Sequence, residues 1–166
     1  MKKIFLVALF AVFALVSTVF GQLNITKADK VSPSDEMFID MAVMAAKKSV
    51  ADGNAPNGAV VIVNGAWKST GIPADDKTAE IVAFEKSRKS NLENATVYTV
   101  NEPTTSTLNA LNKAGVEAIY FVNPRGEVIA AGIYPASAYD DSALDTSVKQ
   151  APMYRLPFAE AEALLK

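Results

Sequence analysis

Chemistry in this chain draws on a narrow set of groups, because its 166 residues include no histidine and no cysteine. That removes an imidazole base, a thiolate nucleophile, any disulfide and the usual donors of a zinc site. Carboxylates, hydroxyls, amides, lysine, arginine and tyrosine remain. Asp76, Glu80 and Glu102 offer oxygen to a hard cation. Calcium takes roughly six to eight oxygens, and no loop here has calcium-binding spacing, so that chemistry is not expected. Asp75 and Asp76 read as a solvated loop with helix-start charge, the alternative being contact with a ligand. No serine or lysine lies in a recognisable nucleophile motif. The formal net charge is −2 with no clustered basic patch, so nucleic acid is not an expected partner.

The elements that must position these groups follow from periodicity and turn chemistry. Ser32-Pro33-Ser34-Asp35 reads as a helix start, with Ser32 as cap and Pro33 at the first helical position. Met37, Phe38, Met41, Ala42, Met44 and Ala45 then recur at helical spacing, and Gly53 is a stop. The methionines are expected in the core, with a methionine-lined ligand surface as the alternative. Residues 59–63, Ala-Val-Val-Ile-Val, read as a strand buried on both faces. Asn64-Gly65 is a two-residue hairpin signal, and residues 67–70 return as the second strand. Trp67 is expected to pack on the sheet or at an interface.

A loop over 71–76 leads to a helix over 78–90, with Ile81, Val82 and Phe84 inward and Lys86, Arg88 and Lys89 outward. Strands are expected at 96–100 and 118–122, a helix at 104–114, and a short strand at 127–131 after the Asn123-Pro124-Arg125-Gly126 turn. Further helices are expected at 137–148 and 158–165. The expected fold class is α/β: a three-layer α/β/α sandwich with a mixed central sheet of about five strands.

Three segments in this order resemble the cytidine and nucleoside deaminase superfamily, nearest to its guanine deaminase and tRNA-adenosine deaminase branch. Ala55-Pro56-Asn57-Gly58-Ala59-Val60 is similar to the family's Gly-Pro-Phe-Gly-Ala-Val strand entry. Thr78-Ala79-Glu80 stands where that branch carries His-Ala-Glu. Glu102-Pro103-Thr104-Thr105-Ser106-Thr107 stands where the family has Glu-Pro-Cys-x-x-Cys. Tyr139-Asp140-Asp141 loosely echoes an aromatic-Asp-Asp segment. The resemblance implies a cytidine deaminase-like domain over residues 34–166.

The same resemblance implies that Thr78, Thr104 and Thr107 occupy the positions of the three zinc ligands, and that Glu80 keeps the position of the proton shuttle. Zinc supplies the attacking hydroxide by lowering the pKa of bound water from about 15.7 to about 7. Neutral hydroxyls are poor ligands for it. The expectation is therefore no cofactor, a degenerate metal site, and at most a vestigial catalytic role for Glu80. Thr78 and Thr104 would then cap two helices in place of metal coordination. The sharper reading keeps a pocket in which Asn57, Thr78, Glu80, Thr104, Ser106 and Thr107 contact a small polar or nucleobase-like ligand. Tyr134 and Tyr139 read as packing residues or as a cover over it. The expected function is thus a non-catalytic, deaminase-like domain binding such a ligand or a protein. The alternative is an active nucleoside or nucleobase deaminase-type hydrolase using Glu80. The family also implies a homo-oligomer, with the helix over 104–114 and the segment 134–139 as candidate contacts.

Met1-Lys2-Lys3, an uncharged apolar run over 4–20 and small polar residues at Gly21-Gln22 match a signal peptide, expected to span residues 1–21. An uncleaved anchor is the competing reading, although a spanning helix wants roughly 20 apolar residues. Cleavage would export the chain to a bacterial periplasm or medium with no stable membrane insertion. Without Lys2 and Lys3, 14 basic residues face 18 acidic ones, so the mature chain carries about −4. Residues 22–33 are expected to be a flexible lead-in.

Overall fold

A computed structural model describes residues 23–87 and 93–166. The expected leader, and Arg88 and Lys89 with the end of their helix, lie outside the described residues. The element order is β1 (Ile25–Lys27), α1 (Pro33–Ala51), β2 (Ala59–Val63), β3 (Ala66–Gly71), α2 (Ala79–Lys86) and β4 (Ala95–Asn101). It continues with α3 (Thr105–Lys113), β5 (Ala118–Asn123), α4 (Arg125–Ala130), β6 (Met153–Arg155) and α5 (Ala159–Glu162). One mixed sheet runs β1-β6-β5-β4-β2-β3. β2 is antiparallel to both β3 and β4, whereas β4, β5, β6 and β1 are mutually parallel.

Burial on both faces explains why β2 is apolar throughout. Ala59, Val61 and Val63 meet the α2 and α3 layer, in a core that includes Leu108, Leu111 and Phe121. Val60 and Ile62 meet α1, through Phe38, Ile39, Ala42, Val43 and Ala46. Tyr98, Tyr120 and Tyr154 lie in register on β4, β5 and β6, stacked at 4.9 and 4.8 Å between centroids. The Tyr98 hydroxyl donates to Asp35 Oδ1 at 2.6 Å, tying the sheet to the first turn of α1. Burial, and then this bond, push the Tyr98 pKa upward.

Local chemistry sets the approach to the site. Ser32 caps α1 as expected, accepting from the Asp35 N–H at 3.2 Å. Asn64 and Gly65 both take positive φ, 51° and 74°, as a type I′ hairpin requires. Gly58 has no room for a side chain, because an added Cβ would run into the Ala42 carbonyl and the Ala46 N–H of α1. That contact holds the loop carrying Asn57 against α1.

Several expectations give way. The sheet has six strands, not about five. β1 falls inside the expected flexible lead-in, where Ile25–Lys27 adds to the edge of β6, although all three residues stay exposed. β6 lies between the two expected C-terminal helices, where the sequence reading placed no element. The short strand expected at 127–131 is instead helix α4, because Pro124 at its N-cap sends the chain into helical turns. The helix expected at 137–148 is two 3-10 turns, Ala136–Tyr139 and Asp141–Ala143. Asp140 and Asp145 disrupt it by accepting from the backbone N–H of Ser142 and Ser147, each at 3.0 Å. Met37 and Met44 are not core residues, being 54% and 62% exposed. The small residues Ala42, Ala45 and Ala46 make the close contacts in their place.

Candidate functional site

The site forms where β4 ends and where α2 and α3 begin. The N-caps of α2 and α3 are Thr78 and Thr104. Thr104 caps in the ordinary way, accepting from the Thr107 N–H at 3.3 Å. Thr78 makes no side-chain cap bond. Its hydroxyl is engaged across the helix gap, 3.0 Å from the Thr107 hydroxyl, which is 3.0 Å from that of Thr104. Ser106 extends this chain, 3.1 Å from Thr104, but is itself exposed. Three threonines from two helices thus share one hydrogen-bonded knot.

A second polar cluster lies nearby on α2, β4 and the loop before β2. Glu80 is 1% exposed. Its Oε1 accepts from the Thr99 hydroxyl at 2.5 Å and from Asn57 Nδ2 at 3.2 Å. Asn57 Oδ1 accepts from the Gly58 and Asn101 N–H groups at 3.0 and 3.3 Å. Asn57 Nδ2 also lies 3.5 Å from the Tyr134 hydroxyl. Glu80 Oε2 has no hydrogen-bond partner among the described residues. Burial, and then the charge of Glu80, raise the Tyr134 pKa, so this hydroxyl keeps its proton.

A cleft of about 270 Å³ opens beside these groups, lined by Asn54, Pro73, Asp75, Asp76, Thr78 and Tyr134 among others. Asp75 holds a positive φ of 53° in the turn closed by Ala74 and Lys77. Lys77 is neutralised by Glu85, with both carboxylate oxygens within 2.8 Å. Asp75 and Asp76 line the cleft from exposed positions.

Glu102 belongs to a different network. Its Oε1 accepts from Arg125 Nε at 2.6 Å and its Oε2 from the Arg125 N–H at 2.8 Å. Arg125 also reaches Asp141 at 2.8 Å and lies 5.3 Å from the centre of the Tyr139 ring. Burial acts to lower the Arg125 pKa, but the bonds to Asp141 and Glu102 outweigh it and the net shift is upward. Tyr139 donates to the Glu102 carbonyl at 3.0 Å, so it is a packing residue rather than a cover. Both Glu102 oxygens are therefore committed to holding the C-terminal segment.

The structure places Asn57 and Glu80 in one cluster and Thr78, Thr104, Ser106 and Thr107 in another, and of these six residues Thr78 alone lines the cleft. Sequence reasoning missed Thr99, Asn101 and Arg125. Thr99 was findable, since it shares the α2-facing side of its strand with Val97 at period two.

No known family model matches the sequence, and no curated protein does. Solved structures do match. A tRNA:A34 deaminase, studied for A-to-I editing at the wobble position of transfer RNA, superposes with a TM-score of 0.60 at 19% identity, over 79% of this chain and 99% of that one. The guanine deaminase of Nitrosomonas europaea gives 0.62 at 16%, over 81% and 83%. That of Bacillus subtilis gives 0.55 at 25%, over 77% and 88%. The fold is that of the cytidine and nucleoside deaminase superfamily. In this chain it lacks the zinc ligands, and among the described residues no three His, Cys, Asp or Glu side chains gather as a metal site. Zinc does not fit the groups present. The three hydroxyls are neutral and satisfy one another, Asp75 and Asp76 stand at exposed positions along the cleft, and Glu80 has one oxygen held by Thr99 and Asn57.

Proposed function

We propose that this chain is an exported, zinc-free binding domain on a deaminase scaffold, and that its cleft takes a small polar or nucleobase-like ligand. The observation that carries this reading is the threonine knot. Groups that hydrogen-bond to one another at 3.0 Å stabilise the two helix starts by themselves. They leave no Lewis acid to activate water. Glu80 keeps the position of a proton shuttle without a nucleophile to serve.

The cleft supports the ligand reading. Its volume of about 270 Å³ lies just below the range of roughly 300–1,000 Å³ usual for ligand pockets, which suits one small ring. Asn54, Thr78 and the Tyr134 ring supply amide, hydroxyl and aromatic contacts there. Export is supported by Lys2-Lys3 and the apolar run that follows them.

The decisive experiment pairs a turnover screen on nucleobases and nucleosides with thermal shift on the same compounds, each with and without chelator. The reading expects no deamination and a chelator-insensitive shift for at least one compound. Deamination that chelator abolishes would restore the enzyme reading. Mass analysis of the exported chain, expected to begin near Gln22, tests the leader.

A further inference from the structure

We propose that the groove between α1 and the outer edge of β3 is a binding site separate from the cleft, and that it takes a long-chain carboxylate. The alkyl chain lies along the apolar walls and the head group meets Lys86. The groove holds about 460 Å³, inside the range of roughly 300–1,000 Å³ usual for small-molecule pockets. It shares no lining residue with the cleft beside Thr78.

Periodicity on two elements builds this groove. Met41, Met44, Ala45 and Lys48 follow at i, i+3, i+4 and i+7 along α1, so they share one face of that helix. Thr70 pairs with Val60 on the α1 side of the sheet, and Ile72 follows at period two. β3 is an edge strand, which leaves this side of α1 open. Met41 packs partly into the core, whereas Met44 stands 62% exposed. Scattered exposed apolar residues need no explanation, but these two are contiguous along one trough. Their flexible thioether chains adapt to an occupant without a fixed shape, as an alkyl chain is.

The polar groups of the lining select the head group. They are Thr70, Lys48 and Lys86, and no carboxylate lines the groove among the described residues. Lys48 is held by Asp52 at 2.8 Å, so that pair brings no net charge. Lys86, in the last turn of α2, has no acidic partner among the described residues, and residues 88–92 include no Asp or Glu. The groove therefore carries one uncompensated positive charge. Thr70 accepts from Trp67 Nε1 at 3.0 Å, which leaves its own proton for another acceptor. A cation and a hydroxyl beside an otherwise apolar trough suit one carboxylate with a chain attached. A nucleobase or sugar fits poorly, because it would bury several polar edges against walls that offer them no partner.

Isothermal titration calorimetry of the purified chain with decanoate, decanol and decyltrimethylammonium tests this, each kept below its micelle concentration. Decanoate is expected to bind one to one, about tenfold tighter than either analogue. Octanoate should bind more weakly than decanoate by about two- to fourfold per methylene lost. Emission of Trp67, the one tryptophan of the chain, should change in step, because its indole is bonded to Thr70. Lys86→Ala should weaken decanoate binding about tenfold and leave decanol unchanged. Met44→Glu, at an exposed position, should abolish decanoate binding with an unchanged circular dichroism spectrum. No saturable decanoate binding, equal binding of all three probes, or a Lys86→Ala variant that binds decanoate as wild type does would each overturn the proposal. So would a chain that binds phosphatidylglycerol vesicles but no free decanoate, since that assigns the face to a membrane surface. Nucleobase binding at the cleft is read separately, so failure here leaves that reading standing.

Discussion

If Thr78, Thr104 and Thr107 surround the place of a vanished metal, restoring metal ligands there should restore metal binding. The perturbation is the triple variant Thr78→His, Thr104→Cys and Thr107→Cys. The threonine oxygens are 3.0 Å apart along the chain Thr78–Thr107–Thr104. Tetrahedral ligands about 2.0–2.3 Å from zinc lie about 3.3–3.8 Å from one another. Each of these two separations must therefore grow by only about 0.3–0.8 Å at the ligating atoms, a change that side-chain rotamers can absorb. Glu80, two residues past Thr78, stays buried behind the site. We expect a zinc Kd of about 1 µM or tighter, equivalent to about 8 kcal/mol. At a hundredfold excess of free zinc over Kd, linkage gives about 2.7 kcal/mol of added stability. For a domain of this size that raises Tm by about 5–10 °C. The assays are competition with a chromogenic chelator and thermal melts with and without zinc. A variant that folds with the wild-type circular dichroism spectrum yet takes up no zinc would refute the placement of these three positions around a common centre.

Further outcomes follow from the same geometry. Arg125→Ala leaves Glu102, 2% exposed, with only a backbone N–H; breaking such a pair costs about 3 kcal/mol, while replacing both partners with methionine should regain most of that in urea unfolding. Thr99→Val removes the short donor to Glu80 and should cost about 1–3 kcal/mol by the same measurement, more than Thr96→Val on the opposite face of the strand. Bonds from the Ser142 and Ser147 side chains, then from their N–H groups, hold the Asp140 and Asp145 pKa values below the ordinary carboxylate value. Their contribution is present above the unfolded pKa and is lost as pH falls through the lower folded value. An Asp140→Asn, Asp145→Asn variant should therefore lose less stability than wild type between about pH 4 and pH 2.

Much of the central sheet was legible because its signals are local. Asn64-Gly65 dictates a hairpin, and the unbroken apolar run of β2 can only be buried on both faces. Ser32 and Thr104 announce helix starts. The site was legible in part: Thr78, Thr104 and Thr107 meet in one cluster, and Asn57 and Glu80 in a second. What stayed hidden depends on tertiary partners. β1 and β6 are three residues each and carry no period of their own; β6 is a strand because the β5 edge offers unpaired backbone groups, and β1 because β6 in turn does. The segment 137–148 has helical composition, but Asp140 and Asp145 redirect its backbone. The exposure of Met37 and Met44 could not be read from a stripe that also contains true core residues. Arg125 gave no signal, since its importance comes from Glu102, more than twenty residues away in sequence.

The native threonine site, with neutral hydroxyls bonded to one another, is expected to hold no zinc. Purified wild-type chain, incubated with excess zinc and dialysed, should retain less than about 0.1 zinc per chain by elemental analysis. Close to one zinc per chain, lost on replacing Thr107 with valine, would contradict it.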